Sequence, residues 1–129
     1  MEKLDAPNME VPFTLLRDSH VDLRDGFNTN FFDADVVLAC DPVQYHLNHG
    51  QEVILQLNKV MLEENQFSKN YNLESTFTLD GNVNVLVYTK QSALMKDDIE
   101  YISNIFEELY PDYPDLFTNR INYYISQNY

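Results

Sequence analysis

The chain predicts an α+β fold, and three observations carry that expectation. Two apolar, alternating segments meet at Asp80 and Gly81; a helical stripe of isoleucines runs from Ile99 towards Leu109; and the elements follow the order strand, strand, helix, hairpin, helix, helix. This order suits a sheet of about four strands, antiparallel or mixed, with about three helices on one face.

Residues 1–9 read as a flexible N-terminal tail, and residues 10–129 as one α+β domain without repeat or linker. Val11 to Arg17 is apolar enough for a first strand, with Pro12 placing its start at a sheet edge. Residues 18–32 read as a loop. Ala34 to Cys40, rich in β-branched and small apolar side chains, reads as a buried strand. Asp41 and Pro42 then supply an N-cap residue and a first-turn proline for a helix over residues 42–62. Its buried face is expected to carry Val43, Leu47, Ile54, Leu57 and Met61, with Gly50 on the same side.

The hairpin over residues 73–89 has the clearest local signature. Leu73–Leu79 and Val83–Thr89 flank Asp80, Gly81 and Asn82, and Val83, Val85 and Val87 alternate as a half-covered strand requires. A helix over residues 96–110 follows, with Ile99, Ile102, Ile105 or Phe106, and Leu109 on its stripe, ending before Pro111. After the link through Pro114, Leu116, Phe117, Ile121, Tyr124 and Ile125 mark a last helix over residues 115–127.

Composition limits what such a domain does. With 129 residues, 44% hydrophobic, and 8 Phe and 9 Tyr against 3 Gly, the chain has material for a core without a metal or a disulfide. Cys40 is the sole cysteine, which excludes an internal disulfide framework and fits a reducing compartment. The longest aliphatic run, Val36 to Cys40, is far short of a membrane span, and Met1 to Glu10 has no apolar signal core. The expectation is a cytoplasmic protein that does not engage a membrane. A net charge of −13 disfavours direct binding to nucleic acid and favours a protein partner with a basic surface; pairing with itself stays open. The 14 asparagines hint at an AT-rich genome and so at a phage, mobile element or low-GC host.

Candidate chemistry is sparse. His46 and His49 are spaced for one helix face and one metal, with Asp41 or Cys40 nearby, but lack the acidic or cysteine partners of a zinc motif, so two solvated histidines are expected. Cys40 as a nucleophile activated by those histidines competes with Cys40 as a small core residue, and the apolar run before it favours the core. The pairs Asp33 and Asp35, and Asp22 and Asp25, have no matching second cluster. No phosphate-binding, calcium-binding or hydrolase motif is present. Neither a cofactor nor a catalytic residue is assigned.

What stands out is the acidic C-terminal segment. Asp97, Asp98, Glu100, Glu107, Glu108, Asp112 and Asp115 fall within nineteen residues without a lysine or arginine among them. Asp97 and Asp98 suit a helix N-terminus. Glu107 and Glu108 lie near a C-terminus, where the dipole opposes each by about 0.3 to 1 kcal/mol at low salt. With Tyr110 and Tyr113 beside Asp112 and Asp115, they form the expected contact surface, extended by Asp97 and Glu100. The reading that follows is a non-enzymatic acidic protein-binding module, such as a phage or mobile-element inhibitor occupying the basic surface of a nucleic-acid-processing protein, with DNA mimicry as a sub-hypothesis. A structural or assembly subunit of a larger particle is the alternative, and a small enzyme using His46, His49 or a carboxylate ranks third.

Overall fold

The computed structural model describes residues 23–42 and 53–129. Over these residues the fold is α+β. A helical turn at Leu23–Asp25 and the short helix α1 (Asn30–Asp33) lead into β1 (Val36–Asp41). Then come α2 (Val53–Leu62), a turn at Ser68–Asn70, the hairpin strands β2 (Tyr71–Leu79) and β3 (Val83–Lys90), α3 (Lys96–Leu109) and α4 (Thr118–Asn128).

The strands form a three-stranded antiparallel sheet in the order β1-β3-β2. Register runs from Val36 opposite Thr89 to Asp41 opposite Asn84, and from Tyr71 opposite Lys90 to Leu79 opposite Val83, with an irregularity between Leu73 and Ser75. The hairpin matches its sequence signature because Gly81 (φ +82°) and Asn82 (φ +62°) occupy the left-handed region, which these two residue types tolerate. The predicted strand at residues 11–17, the tail, Gly50 and the first part of the 42–62 helix, with His46 and His49, lie outside the described residues.

Strand alternation divides the sheet into two unlike faces. On one, Val37, Ala39 and Tyr88 pack against the core beneath the helices; on the other, Val36 and Leu38 are exposed and Cys40 is half-buried. Two expectations are corrected here. Residues 34–40 are not a fully buried strand, and Cys40 is not a core residue, because among the described residues helices cover only one face and successive side chains point to opposite faces. Among the described residues β1 is an outer strand, and at Cys40 a side chain meets its backbone: Asn58 of α2 donates from Nδ2 to the Cys40 carbonyl (2.6 Å) and accepts at Oδ1 from the Cys40 N–H (2.8 Å). An amide thus stands in for the neighbouring strand.

Three further corrections concern element boundaries. Asp41 is the last residue of β1 and Pro42 lies in a bend, so the predicted cap pair belongs to the strand exit. The last helix begins at Thr118 rather than at residue 115, because the Pro114 carbonyl accepts from the N–H groups of Phe117 (3.3 Å) and Asn119 (2.8 Å) and closes a turn. Residues 23–32, within the predicted loop, instead supply a centre of the core: Phe27, Phe31 and Phe32 are buried. The Phe27 ring packs on Phe32 (centroids 5.1 Å apart) and Phe106 (5.3 Å), and Phe31 stacks on Phe67 (5.3 Å). Tight backbone passage makes this possible. Gly26 (φ +68°) lies so close to the C-terminal region that an added Cβ would sit 2.6 Å from the Leu116 carbonyl oxygen.

Between α2 and β2, Asn65 ties a knot in the backbone. Its Nδ2 donates to the carbonyls of Val60 (2.8 Å) and Glu63 (3.2 Å), while its Oδ1 accepts from the N–H groups of Phe67 (3.0 Å) and Ser68 (2.8 Å). Carbonyls that a helix end leaves orphaned are thereby satisfied, and Phe67 is aimed into the core.

Candidate functional site

The acidic corner is built on the end of α3 and the turns leading into α4. Ile99, Ile102 and Phe106 are buried, so of the two stripe alternatives Phe106 faces the core and Ile105 is only half-buried. Leu109 is exposed, contrary to its place on the predicted stripe, because the core contact of α3 ends at Phe106 and passes to Tyr110. The Tyr110 N–H donates to the Phe106 carbonyl (2.9 Å), closing the helix just before Pro111. The Tyr110 ring stacks on Phe117 (centroids 4.7 Å) and Phe106 (6.1 Å), and Phe106 lies parallel to Phe117 at 5.3 Å. These three rings clamp the corner from beneath.

Successive turns carry the chain around it: Tyr113 N–H to the Tyr110 carbonyl and Leu116 N–H to the Tyr113 carbonyl, both at 3.1 Å. The Leu116 carbonyl accepts from the Phe27 N–H at 2.8 Å, joining the corner to the N-terminal aromatic segment. With the backbone so held, Glu107, Glu108, Asp112, Tyr113 and Asp115 all point outward and are exposed. Asp115 accepts from the side-chain amide of Asn119 (2.7 Å).

Lysines pair with Asp98 (Lys69, 3.8 Å) and Glu100 (Lys96, 3.4 Å), but among the described residues no lysine or arginine pairs with Glu107, Glu108, Asp112 or Asp115. Arg120 is nearby in sequence, yet its Nη1 donates to the carbonyls of Asp25 (2.7 Å) and Phe27 (3.4 Å). The helix dipole opposes Glu107 and Glu108 as the sequence indicates.

The eight predicted contact residues therefore separate into groups. Glu107, Glu108, Asp112, Tyr113 and Asp115 form the exposed corner, with Tyr110 its half-buried anchor. Asp97 is exposed at the far end of α3, and Glu100 is paired with Lys96. Asp98 is buried and structural: its Oδ2 accepts from the Met95 N–H (2.8 Å) at the start of α3, as a capping carboxylate does. Two open grooves flank α4. One, of about 480 Å³, runs between α3 and α4 and is lined by Glu100, Ser103, Asn104, Glu107, Asn119 and Asn122. The other, of about 560 Å³, lies between α4 and the N-terminal segment, beside Asp115, Arg120 and Tyr123. Asn119 and Asn122 escape notice in the sequence, where the only sign of them is their spacing on a face of α4 facing Glu100 and Glu107.

Among the described residues no cluster of histidine, cysteine, aspartate and glutamate is arranged to hold a metal ion, and no helix is long and apolar enough to cross a membrane. No family model, curated protein or solved structure matches the chain.

Proposed function

We propose that the chain is a non-enzymatic binding module that meets a basic protein surface through the corner formed by Glu107, Glu108, Asp112, Tyr113 and Asp115. One observation carries this reading: four carboxylates are held outward on a backbone clamped by stacked rings, and no cation among the described residues neutralises the four. An anionic patch on a backbone held by stacked rings, beside an exposed tyrosine and without a cation among the described residues, suits a cationic partner, because its charge gains most from an opposing field. An inhibitor that covers the nucleic-acid-binding surface of its target is the form of this module that fits an overall charge of −13.

The test compares two variants of equal net charge. Glu107→Lys/Glu108→Lys reverses the corner, whereas Glu63→Lys/Glu64→Lys reverses an exposed acidic pair at the end of α2. In affinity capture from host lysate followed by titration of the captured protein, the corner variant is expected to bind at least about 10-fold more weakly, a change of about 1.4 kcal/mol. The α2 variant should bind as the wild type does, and wild-type binding should weaken steeply between about 0.05 and 0.5 M salt. Equal binding by both variants, each folded by circular dichroism, would remove the corner from the interface.

A further inference from the structure

In the groove between α3 and α4, one deeply placed hydroxyl is left without a bond. Glu100, Ser103, Asn104 and Glu107 fall at helical spacing on one face of α3, and Asn119 and Asn122 of α4 line the same groove. Ser103 is only 7% exposed, yet among the described residues its hydroxyl has no hydrogen-bond partner. Hydroxyls on α4 behave otherwise. Ser126 donates to the Tyr123 carbonyl at 2.7 Å and Thr118 to the Pro114 carbonyl at 3.4 Å, the usual recourse of such side chains in a helix. Polar groups placed as deeply as Ser103 ordinarily have a partner, and the groove is where a partner for this one fits.

We infer that the groove receives a lysine side chain of the protein partner, its ammonium seated between Ser103 and Glu107. This rests on the reading of the corner as a contact for a basic protein, since Glu107 belongs to both. The atoms on offer favour a donor. Ser103 Oγ and the Glu107 carboxylate have no partner among the described residues, nor have the side-chain carbonyls of Asn104 and Asn122. Asn119 gives its Nδ2 to Asp115 (2.7 Å), which leaves its Oδ1 to accept. No lysine or arginine lines the groove among the described residues.

Charge sets the position. At one end Lys96 already pairs with Glu100 (3.4 Å), whereas Glu107, about 10 Å further along α3, pairs with no cation among the described residues. A cation is therefore best placed at Glu107, one helical turn from Ser103. Shape then separates lysine from arginine. The acceptors stand as single points on two helices, which an ammonium with three donors on a slender stem can meet, whereas a planar guanidinium is matched by the paired oxygens of one carboxylate. Pro114 and Thr118 offer apolar surface for the stem.

The experiment is an NMR titration of the isotope-labelled full chain with Nα-acetyl-lysine methylamide, compared with the arginine and norleucine counterparts and with putrescine. Saturable shifts are expected at the Ser103 amide and at the side-chain amides of Asn104, Asn119 and Asn122, with a Kd of order 1 to 10 mM for so small a ligand. The arginine compound should bind about 3-fold more weakly or worse, and the norleucine compound should leave the spectrum unchanged. Ser103→Ala and Glu107→Gln are each expected to weaken lysine binding about 5- to 10-fold, whereas Asp112→Asn should change it by less than about 2-fold. Glu107→Gln and Asp112→Asn remove the same charge, one inside the groove and one outside it, and the dispersion of the spectrum checks that each variant is folded. Equal weakening by these two overturns the proposal, because the attraction is then to an acidic surface in general. So does a titration without shifts, a preference for arginine, or putrescine binding more than about 10-fold tighter than the lysine compound, which assigns the groove to a free polyamine. The titration needs no partner, so it stands apart from the capture experiment. Shifts in the groove together with a corner variant that binds its partner normally remove the corner alone; a weakened corner variant without shifts removes the groove alone.

Discussion

The Tyr71 side chain shows how much one atom can matter in a core of this size. Its ring packs on Phe67 (centroids 5.6 Å), yet among the described residues its buried hydroxyl has no hydrogen-bond partner. Burial, reinforced by the charge of Asp35, pushes its pKa well above the ordinary tyrosine value. A buried, unpaired hydroxyl costs about 1 to 3 kcal/mol. Tyr71→Phe removes that cost and keeps the ring, so it should raise stability by about 1 kcal/mol, seen as a higher urea midpoint at unchanged slope. A lower midpoint would reveal a partner for the hydroxyl. Tyr124 makes the contrast. Its hydroxyl donates to Asp33 Oδ1 at 2.6 Å, so the same substitution there removes a bond instead of a penalty.

At the scale of elements, side chains do what periodicity does not announce. Asn58 holds the β1 backbone at Cys40 and Asn65 closes the end of α2, and both sit where a sequence reading sees only polar residues among apolar ones. Asn65→Ala is expected to cost about 2 kcal/mol, because the Val60 carbonyl and the Phe67 and Ser68 N–H groups lose partners at once, while the Glu63 carbonyl keeps the Ser68 hydroxyl (2.6 Å). Urea unfolding measures the loss, and hydrogen exchange should quicken first at the Phe67 and Ser68 amides; an unchanged midpoint would show that the turn stands without Asn65. The hairpin and α3 were legible because each rests on local chemistry: Asp80 and Gly81 in a turn, Ile99, Ile102 and Phe106 at helical spacing. The role of Phe27, Phe31 and Phe32 was not, since their burial depends on rings some forty to eighty positions away and their segment has neither a strand nor a long-helix period. Nor could the sequence tell which face of β1 packs on the core. Alternation places Leu38 opposite Ala39 but does not say where the helices go.

Across the whole molecule, tyrosines tie alkaline pH to stability. Burial raises the pKa of Tyr71, Tyr88, Tyr124 and Tyr129; the hydrogen bond to Asp33 adds to this in Tyr124, and the charge of Asp98 in Tyr129. A raised pKa means that the folded state holds the proton longer than the unfolded chain does. Their contribution is therefore fully present below about pH 10, and stability falls as pH rises above that value, where only the unfolded chain ionises. Thermal midpoints taken from about pH 8 to 11.5 should show this decline, with tyrosinate absorbance rising together with unfolding; a midpoint flat across the range would refute it. The acidic corner was legible in part: its charges and the end of α3 are local, whereas the pairing of Glu100 with Lys96 and the burial of Asp98 separate the seven acids in a way that composition does not show.

The bonds from Arg120 to the Asp25 carbonyl and from Tyr124 to Asp33 join residues 95 and 91 positions apart. Contacts of that separation close late, because the loop entropy must be met before they return anything. A nascent chain has made Phe27, Phe31 and Phe32 long before it makes Phe106, Phe117 and α4, and until then those rings have only part of their core. The order of synthesis thus brings the corner's charges out after the N-terminal rings, between Phe106 and Phe117, the two rings that complete the aromatic packing beneath them.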